Sequence, residues 1–220
     1  MSNPKSLERG FRTRRFAEVR TLIDASIAEN GRADILDVGG TEQYWVIGED
    51  YLRELGDRVS ITLVNNEEAP AVRGAQFTSL FGNACDPKLF EGRTFDIVHS
   101  NSVIEHVGDY GRMKAFADNV RRLGKSYYVQ TPNFWFPLEP HFRVPGFQWL
   151  PLAVRAALMR RFNLGFYPRA RTAEEAYQNV ADIRLLTKRM MADLFGDAEI
   201  KMEKVAGFNK SIMAIGKRQG

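Results

Sequence analysis

Short apolar runs alternate with longer helical patterns along most of this chain, and that alternation constrains the fold more than any other feature. A helix between two strands lets those strands run parallel, so the pattern specifies a mostly parallel sheet covered by helices. Asp34-Ile-Leu-Asp-Val38 opens the series as a buried strand, and Ile61-Thr-Leu-Val64 follows it. A short third strand is placed near Gln76–Thr78, a fourth at Phe95–Ser100 and a fifth at Ser126–Thr131, with a helix over Tyr110–Leu123 between the last two. Ahead of the first strand, Phe11 to Asn30 sets Phe16, Val19, Leu22, Ile23, Ser26 and Ile27 on one helical face.

After Pro132 the pattern breaks. Phe134, Trp135, Phe136, Phe142, Phe147 and Trp149 fall among prolines, and a basic apolar helix is expected from about Leu152 to Phe162. Regular structure resumes with a helix over Ala173–Phe195 and a closing strand pair, Glu199–Val205 and Ser211–Ile215. The chain thus divides into a core over 1–132, an inserted aromatic and basic cover over 133–186, and a return to the core over 187–220. A length of 220 residues with 44% hydrophobic content suits one domain carrying such an insertion.

The single cysteine, Cys85, allows no intramolecular disulfide and no cysteine-based zinc site, which fits a reducing compartment. No stretch has the pattern of a secretory leader or the roughly 20 apolar residues of a membrane span, so a cytoplasmic protein is expected. Charge is uneven: residues 1–110 hold 12 Lys/Arg against 18 Asp/Glu, and residues 111–220 hold 19 against 9. The basic half admits an anionic acceptor or peripheral contact with the inner face of a membrane.

Chemistry concentrates where strands end. In Ile35-Leu-Asp-Val-Gly-Gly-Thr41 a strand finishes on an acid and two glycines, at the sheet edge where doubly wound folds bind ligands. The adjacent Gly39 and Gly40 do not spell the G-x-G-x-x-G loop of a dinucleotide site, and no phosphate-binding G-x-x-x-x-G-K-[ST] loop is present. Asp37 would repel a phosphate but suits a cation, such as the amino group of an aminoacyl ligand.

Five ordered segments between Ala33 and Asn133 resemble the class I S-adenosylmethionine-dependent methyltransferases, in particular the type 11/23-like small-molecule enzymes. They are the Asp37-Gly39-Gly40 loop, the strand end Val64-Asn-Asn-Glu-Glu68, the loop Phe81-Gly-Asn-Ala-Cys-Asp86, the run Phe95-Asp-Ile-Val-His-Ser-Asn-Ser-Val-Ile-Glu-His-Val107, and Tyr128-Val-Gln-Thr-Pro-Asn133. The resemblance implies a Rossmann-like seven-stranded sheet, mostly parallel with an antiparallel last strand and helices on both faces. It implies S-adenosyl-L-methionine as cofactor, with Asp37, Gly39 and Gly40 at its methionine part and Asn65 at its ribose. Asn83 and Ala84 would lie at its adenine, and Asn101 and Ser102 toward the sulfonium. The chain departs from the family pattern at Thr41, where a glycine is usual, and at Asn65 and Asn83, where acids are usual; Glu67 is a second candidate for the ribose contact.

In-line methyl transfer needs alignment first and a proton acceptor second. Of the three histidines, His99 reads as a buttress in a buried strand, whereas His141 and His106 are the candidates for substrate chemistry. No metal is expected: Glu105 and His106 are adjacent and would diverge on a helix, and the sequence points to no third ligand. The aromatic insert favours a small-molecule, glycan or lipid-linked acceptor methylated on oxygen or nitrogen. An RNA methyltransferase or RNA-binding protein is disfavoured, because the rings cluster with Pro and Leu rather than alternating with basic residues. A non-catalytic domain of the same fold is the remaining alternative.

Overall fold

A computed structural model describes residues 7–66 and 72–218, so Glu67 lies outside the described residues. It has the α/β architecture expected, with seven strands in one sheet in the order β3-β2-β1-β4-β5-β7-β6. The strands are β1 (Ala33–Val38), β2 (Val59–Asn65), β3 (Phe77–Phe81), β4 (Phe95–Asn101), β5 (Gly124–Pro132), β6 (Glu199–Val205) and β7 (Phe208–Lys217). β1 pairs parallel with β2 and with β4, β2 pairs parallel with β3, and β6 and β7 pair antiparallel.

The order turns back at β1. Strands progress outward from β1 through β2 to β3, and the chain then returns to place β4 on the other side of β1. That reversal is where connections leave in opposite directions and a crevice opens at the carboxyl ends of the strands. The register there pairs Ile35 with Ile97, Leu36 with Val98 and Asp37 with His99, so the last polar residues of two apolar runs come to lie side by side.

Two compact units partition the chain. The first comprises residues up to Asn101, Asp118–Tyr128 and the end of the chain from Gly216; the second comprises Ser102–Ala117 and Val129–Ile215. These limits fall inside α4 (Tyr110–Leu123), β5 and β7.

In the first unit, Ile35, Leu36, Ile61, Leu63, Ile97 and Val98 are buried on central strands, as near-continuous apolar runs require. α1 (Leu7–Asn30) buries Phe16, Val19, Ile23 and Ser26, with Leu22 and Ile27 half-buried on the same face. The link between β1 and β2 carries two short helices, α2 (Glu42–Trp45) and α3 (Glu49–Leu55), which anchor through buried Trp45 and Leu52.

The second unit has its own core of Phe142, Phe147, Met159, Ala176, Val180 and Ile183, built around α5 (Leu152–Met159) and α6 (Ala173–Ala181). Part of the aromatic insert is therefore structural, while Trp135, Trp149, Phe162 and Phe166 remain exposed. The single helix expected over Ala173–Phe195 is two: α6, then α7 (Lys188–Leu194). Between them Ile183 and Leu185 are buried and Arg184 is exposed, a strand-like alternation, and Phe134 N–H donates to Leu186 O. Thr187 then starts a new helix by accepting from Met190 N–H, as Thr172 starts α6 by accepting from Glu175 N–H. Among the described residues no helix is long and apolar enough to cross a membrane.

Candidate active site

Local chemistry shapes the loop after β1. Gly39 has φ of +71°, which disfavours any residue with a Cβ. Gly40 is required for a different reason: a Cβ there would lie 1.8 Å from Asp37 Oδ2. Thr41 has φ of −135° and is simply extended, so its departure from the family's glycine costs the backbone nothing. The loop is stitched to β2 by Gly39 N–H donating to Val64 O and by Asn65 Nδ2 donating to Gly40 O.

Asp37 is fully buried and doubly engaged. Oδ2 accepts from Trp45 Nε1 at 2.8 Å, and Oδ1 lies 2.7 Å from His99 Nδ1. Because a carboxylate only accepts, His99 Nδ1 carries the hydrogen, and Nε2 is buried with no partner among the described residues. The His99 ring is held flat against Tyr128 at 5.5 Å and 6°, and packs against Tyr44 and Trp45.

A cavity of about 250 Å³ opens beside this cluster, lined by Arg12, Asp37, Gly39, Gly40, Tyr44 and Asn101 among others. Arg12, Gln43 and Tyr44 were not anticipated. Arg12 lies in a run of arginines on α1 that reads as a solvated face, and Tyr44 follows the glycines on a helix too short for a periodic signal. The Tyr44 hydroxyl is buried without a partner among the described residues, and burial, followed by the charge of Asp37, raises its pKa so that it stays protonated.

The other cofactor candidates are placed differently. Asn65, Asn83 and Ala84 do not line the cavity. Asn65 braces the glycine loop, and Asn83 Oδ1 accepts from Cys85 N–H at 3.0 Å in a turn of its own. Asn119 on α4 fastens that turn by donating to Ala84 O and Asp86 O. Ser102 adopts φ of +58°, a conformation that a residue with a Cβ holds at a cost of about 1 kcal/mol or more, and its hydroxyl donates to Gln130 Oε1.

The second unit holds a separate polar cluster. Glu105 and His106 occupy a single 3-10 turn, Ile104–His106, ahead of α4 rather than lying on that helix. His141 converges on them, with the His106 and His141 rings edge to face at 4.9 Å. One ligand atom from each of Glu105, His106 and His141 lies within 4.8 Å of the others, which corrects the expectation that no third ligand accompanies the adjacent pair. A residue 35 positions along the chain supplies it, and no sequence spacing could have signalled that.

Glu105 is wholly buried, with Oε2 accepting from Thr131 Oγ1 at 2.9 Å. Burial pushes its carboxyl up to about 7, against the opposing pull of its own backbone N–H, the Thr131 hydroxyl and His141. Burial likewise pushes His106 down to about 4, helped by the neighbouring His141. His141 Nδ1 sits 2.8 Å from Glu139 Oε1, and Glu139 also accepts from Phe142 N–H. Glu139 in turn lines a smaller cavity of about 150 Å³ with Phe142, Phe147, Gln148 and Arg155. Gln148 Oε1 and Arg155 Nε have no partner there among the described residues.

No protein-family profile matches the chain. Two uncharacterized proteins of Mycobacterium tuberculosis are each 36% identical to it over 55 residues, 25% of this chain and 19% of theirs, so the match spans about a fifth of those relatives. Solved structures align over nearly all of it. An O-methyltransferase family protein from Burkholderia thailandensis aligns with 96% of this chain and 59% of its own, at 16% identity and a TM-score of 0.50. The N-terminal domain of EvdMO1, crystallised in the presence of SAH (S-adenosylhomocysteine) and D-fucose, aligns with 98% of this chain and 84% of its own, at 14% identity and a TM-score of 0.55. LepI in complex with SAM (S-adenosylmethionine) aligns with 90% of this chain and 46% of its own, at 9% identity and 0.52. Sheet order, the turn-back at β1 and these alignments agree: the chain has the fold of the class I S-adenosylmethionine-dependent methyltransferases.

Proposed function

We propose that this protein is an S-adenosylmethionine-dependent methyltransferase acting on a hydroxyl or amine of a small polar acceptor. The observation that carries the reading is the cavity at the end of β1, where Asp37, Gly39, Gly40 and Asn101 meet Arg12 and Tyr44. Its chemistry suits the methionine end of the cofactor: Arg12 offers a guanidinium for the carboxylate, and the glycine loop admits close approach of the chain. The fold neighbours crystallised with SAH or SAM support that cofactor. Asn65, Asn83 and Ala84 are assigned to ribose and adenine, and Ser102 to the sulfonium side.

Bound there, S-adenosylmethionine would supply its methyl group to an acceptor oxygen or nitrogen and leave as S-adenosylhomocysteine, with the acceptor's proton passing to a neighbouring base. His141, oriented by Glu139, and His106 are assigned to that end of the reaction. The cavity bounded by Phe142, Phe147, Gln148 and Arg155 combines aromatic walls with unpaired polar atoms, as a hydroxylated ring requires, and the crystallisation of the EvdMO1 domain in the presence of D-fucose supports a sugar-like acceptor. Residues 140–173 contain six arginines and no Asp or Glu, which supports contact with anionic lipid if the acceptor is lipid-linked.

Calorimetric titration with S-adenosylhomocysteine tests the reading. Binding should be lost in Gly39→Arg, weakened about tenfold or more in Arg12→Met through loss of one charge-assisted contact, and retained in His141→Ala, which should transfer labelled methyl more slowly. Absence of binding to the parent protein would overturn the proposal.

A further inference from the structure

We infer that Glu105, His106 and His141 form a binding site for a divalent transition-metal ion, oriented by Glu139 and Thr131. Two imidazoles and one carboxylate are a donor set that zinc and its first-row neighbours accept, and three protein ligands leave a coordination position open for a substrate atom. The donor atoms are already within 4.8 Å of one another. Two ligands at about 2.1 Å on a tetrahedral ion are about 3.4 Å apart, so closure needs at most about 1.4 Å, shared between two side chains.

Three further observations point to a cation. No hydrogen bond joins the three side chains to each other among the described residues, although they converge. Glu105 is fully buried, and its Oε1 has no partner while Oε2 is held by Thr131. A carboxylate oxygen stranded in that way costs free energy unless a proton or a cation meets it, and the two convergent imidazoles make the site one that a cation can fill. Finally, His141 Nδ1 is pinned by Glu139, itself 1% exposed, which leaves Nε2 as the donor and reproduces the carboxylate–histidine–metal arrangement that fixes tautomer and ring orientation.

The fold holds the site from several directions within one unit. His106 N–H donates to Val103 O to close the 3-10 turn, Arg184 N–H donates to Glu105 O, and Thr131 comes from β5. A bound ion would polarise the acceptor group, so that His106 and His141 act through it rather than as free bases. That role rests on the proposed function; the ion site does not.

Metal-stripped protein titrated with zinc by calorimetry, and with cobalt by visible absorption, tests the site. One ion should bind per chain. Glu105→Gln, His106→Ala and His141→Ala should each weaken binding by more than 100-fold, and Glu139→Gln, an outer partner, by about 10- to 100-fold. Thermal melting of each variant checks that it folds, and the two histidine variants, which alter one exposed and one half-buried side chain, should melt close to the parent. Zinc binding without S-adenosylhomocysteine binding would uphold the site while overturning the proposed function. Failure of the parent to take up a stoichiometric ion, or equal affinity in folded His106→Ala and His141→Ala, would overturn the inference.

Discussion

Replacing Asp37 by alanine should destabilise the protein before it affects any ligand. The carboxylate serves two buried partners, Trp45 Nε1 at 2.8 Å and His99 Nδ1 at 2.7 Å, and both lose their acceptor once it is gone. A hydrogen bond to a charged group contributes about 1.5–3 kcal/mol, and breaking a buried pair by removing one member costs about 3–5 kcal/mol, so the expected loss is about 3–5 kcal/mol. Unfolding entropy of about 2.1 cal/mol/K per residue over 220 residues gives about 0.46 kcal/mol/K, which converts that loss to a fall in Tm of about 7–11 °C. Asp37→Asn should cost less, about 1–3 kcal/mol, because its amide oxygen still accepts from Trp45 while its NH2 forces His99 into the other tautomer. Thermal and urea unfolding followed by circular dichroism measure both variants. A loss below about 1 kcal/mol for Asp37→Ala, or a larger loss for Asn than for Ala, would refute the view that this acid is a structural keystone beneath the cavity.

Gly40→Ala places a Cβ against Asp37 Oδ2, so S-adenosylhomocysteine affinity should fall at least about tenfold, with a Tm drop that tracks disruption of the Trp45 and His99 contacts. Asp96 is pushed up by burial but pulled lower overall by Lys125 Nζ at 2.8 Å and by Asp34 N–H. A depressed carboxyl stabilises the native state above its unfolded pKa and ceases to do so as pH falls through the folded value. Lys125→Met should therefore lower stability at pH 7 by no more than about 1 kcal/mol, given an exposed lysine, and the difference from the parent should vanish in acid urea melts. Lipid contact through α5 and the residues after it predicts co-sedimentation with phosphatidylserine-containing vesicles, reduced in Arg160→Glu/Arg161→Glu and by salt; equal sedimentation of that variant would exclude the contact.

Sequence alone determined the order of elements and the strand that ends in Asp37-Val-Gly-Gly, because burial on both faces of a parallel strand demands an unbroken apolar run and a tight turn after it demands glycine. The same local reason put Gly39 and Gly40 at the sheet edge, and the family resemblance added Asn101; all three line the cavity there. Sequence alone misjudged the segment after Ala181, where the helical pattern on either side masks the strand-like alternation of Ile183-Arg-Leu185, which packs Ile183 and Leu185 onto the second unit's core. Tertiary structure alone decided what Asp37 is bonded to, which arginine of α1 reaches the cavity, and that His141 joins Glu105 and His106. Such contacts depend on β1–β4 register and on chain segments tens of residues apart, and distance in space leaves no periodic trace in a linear string.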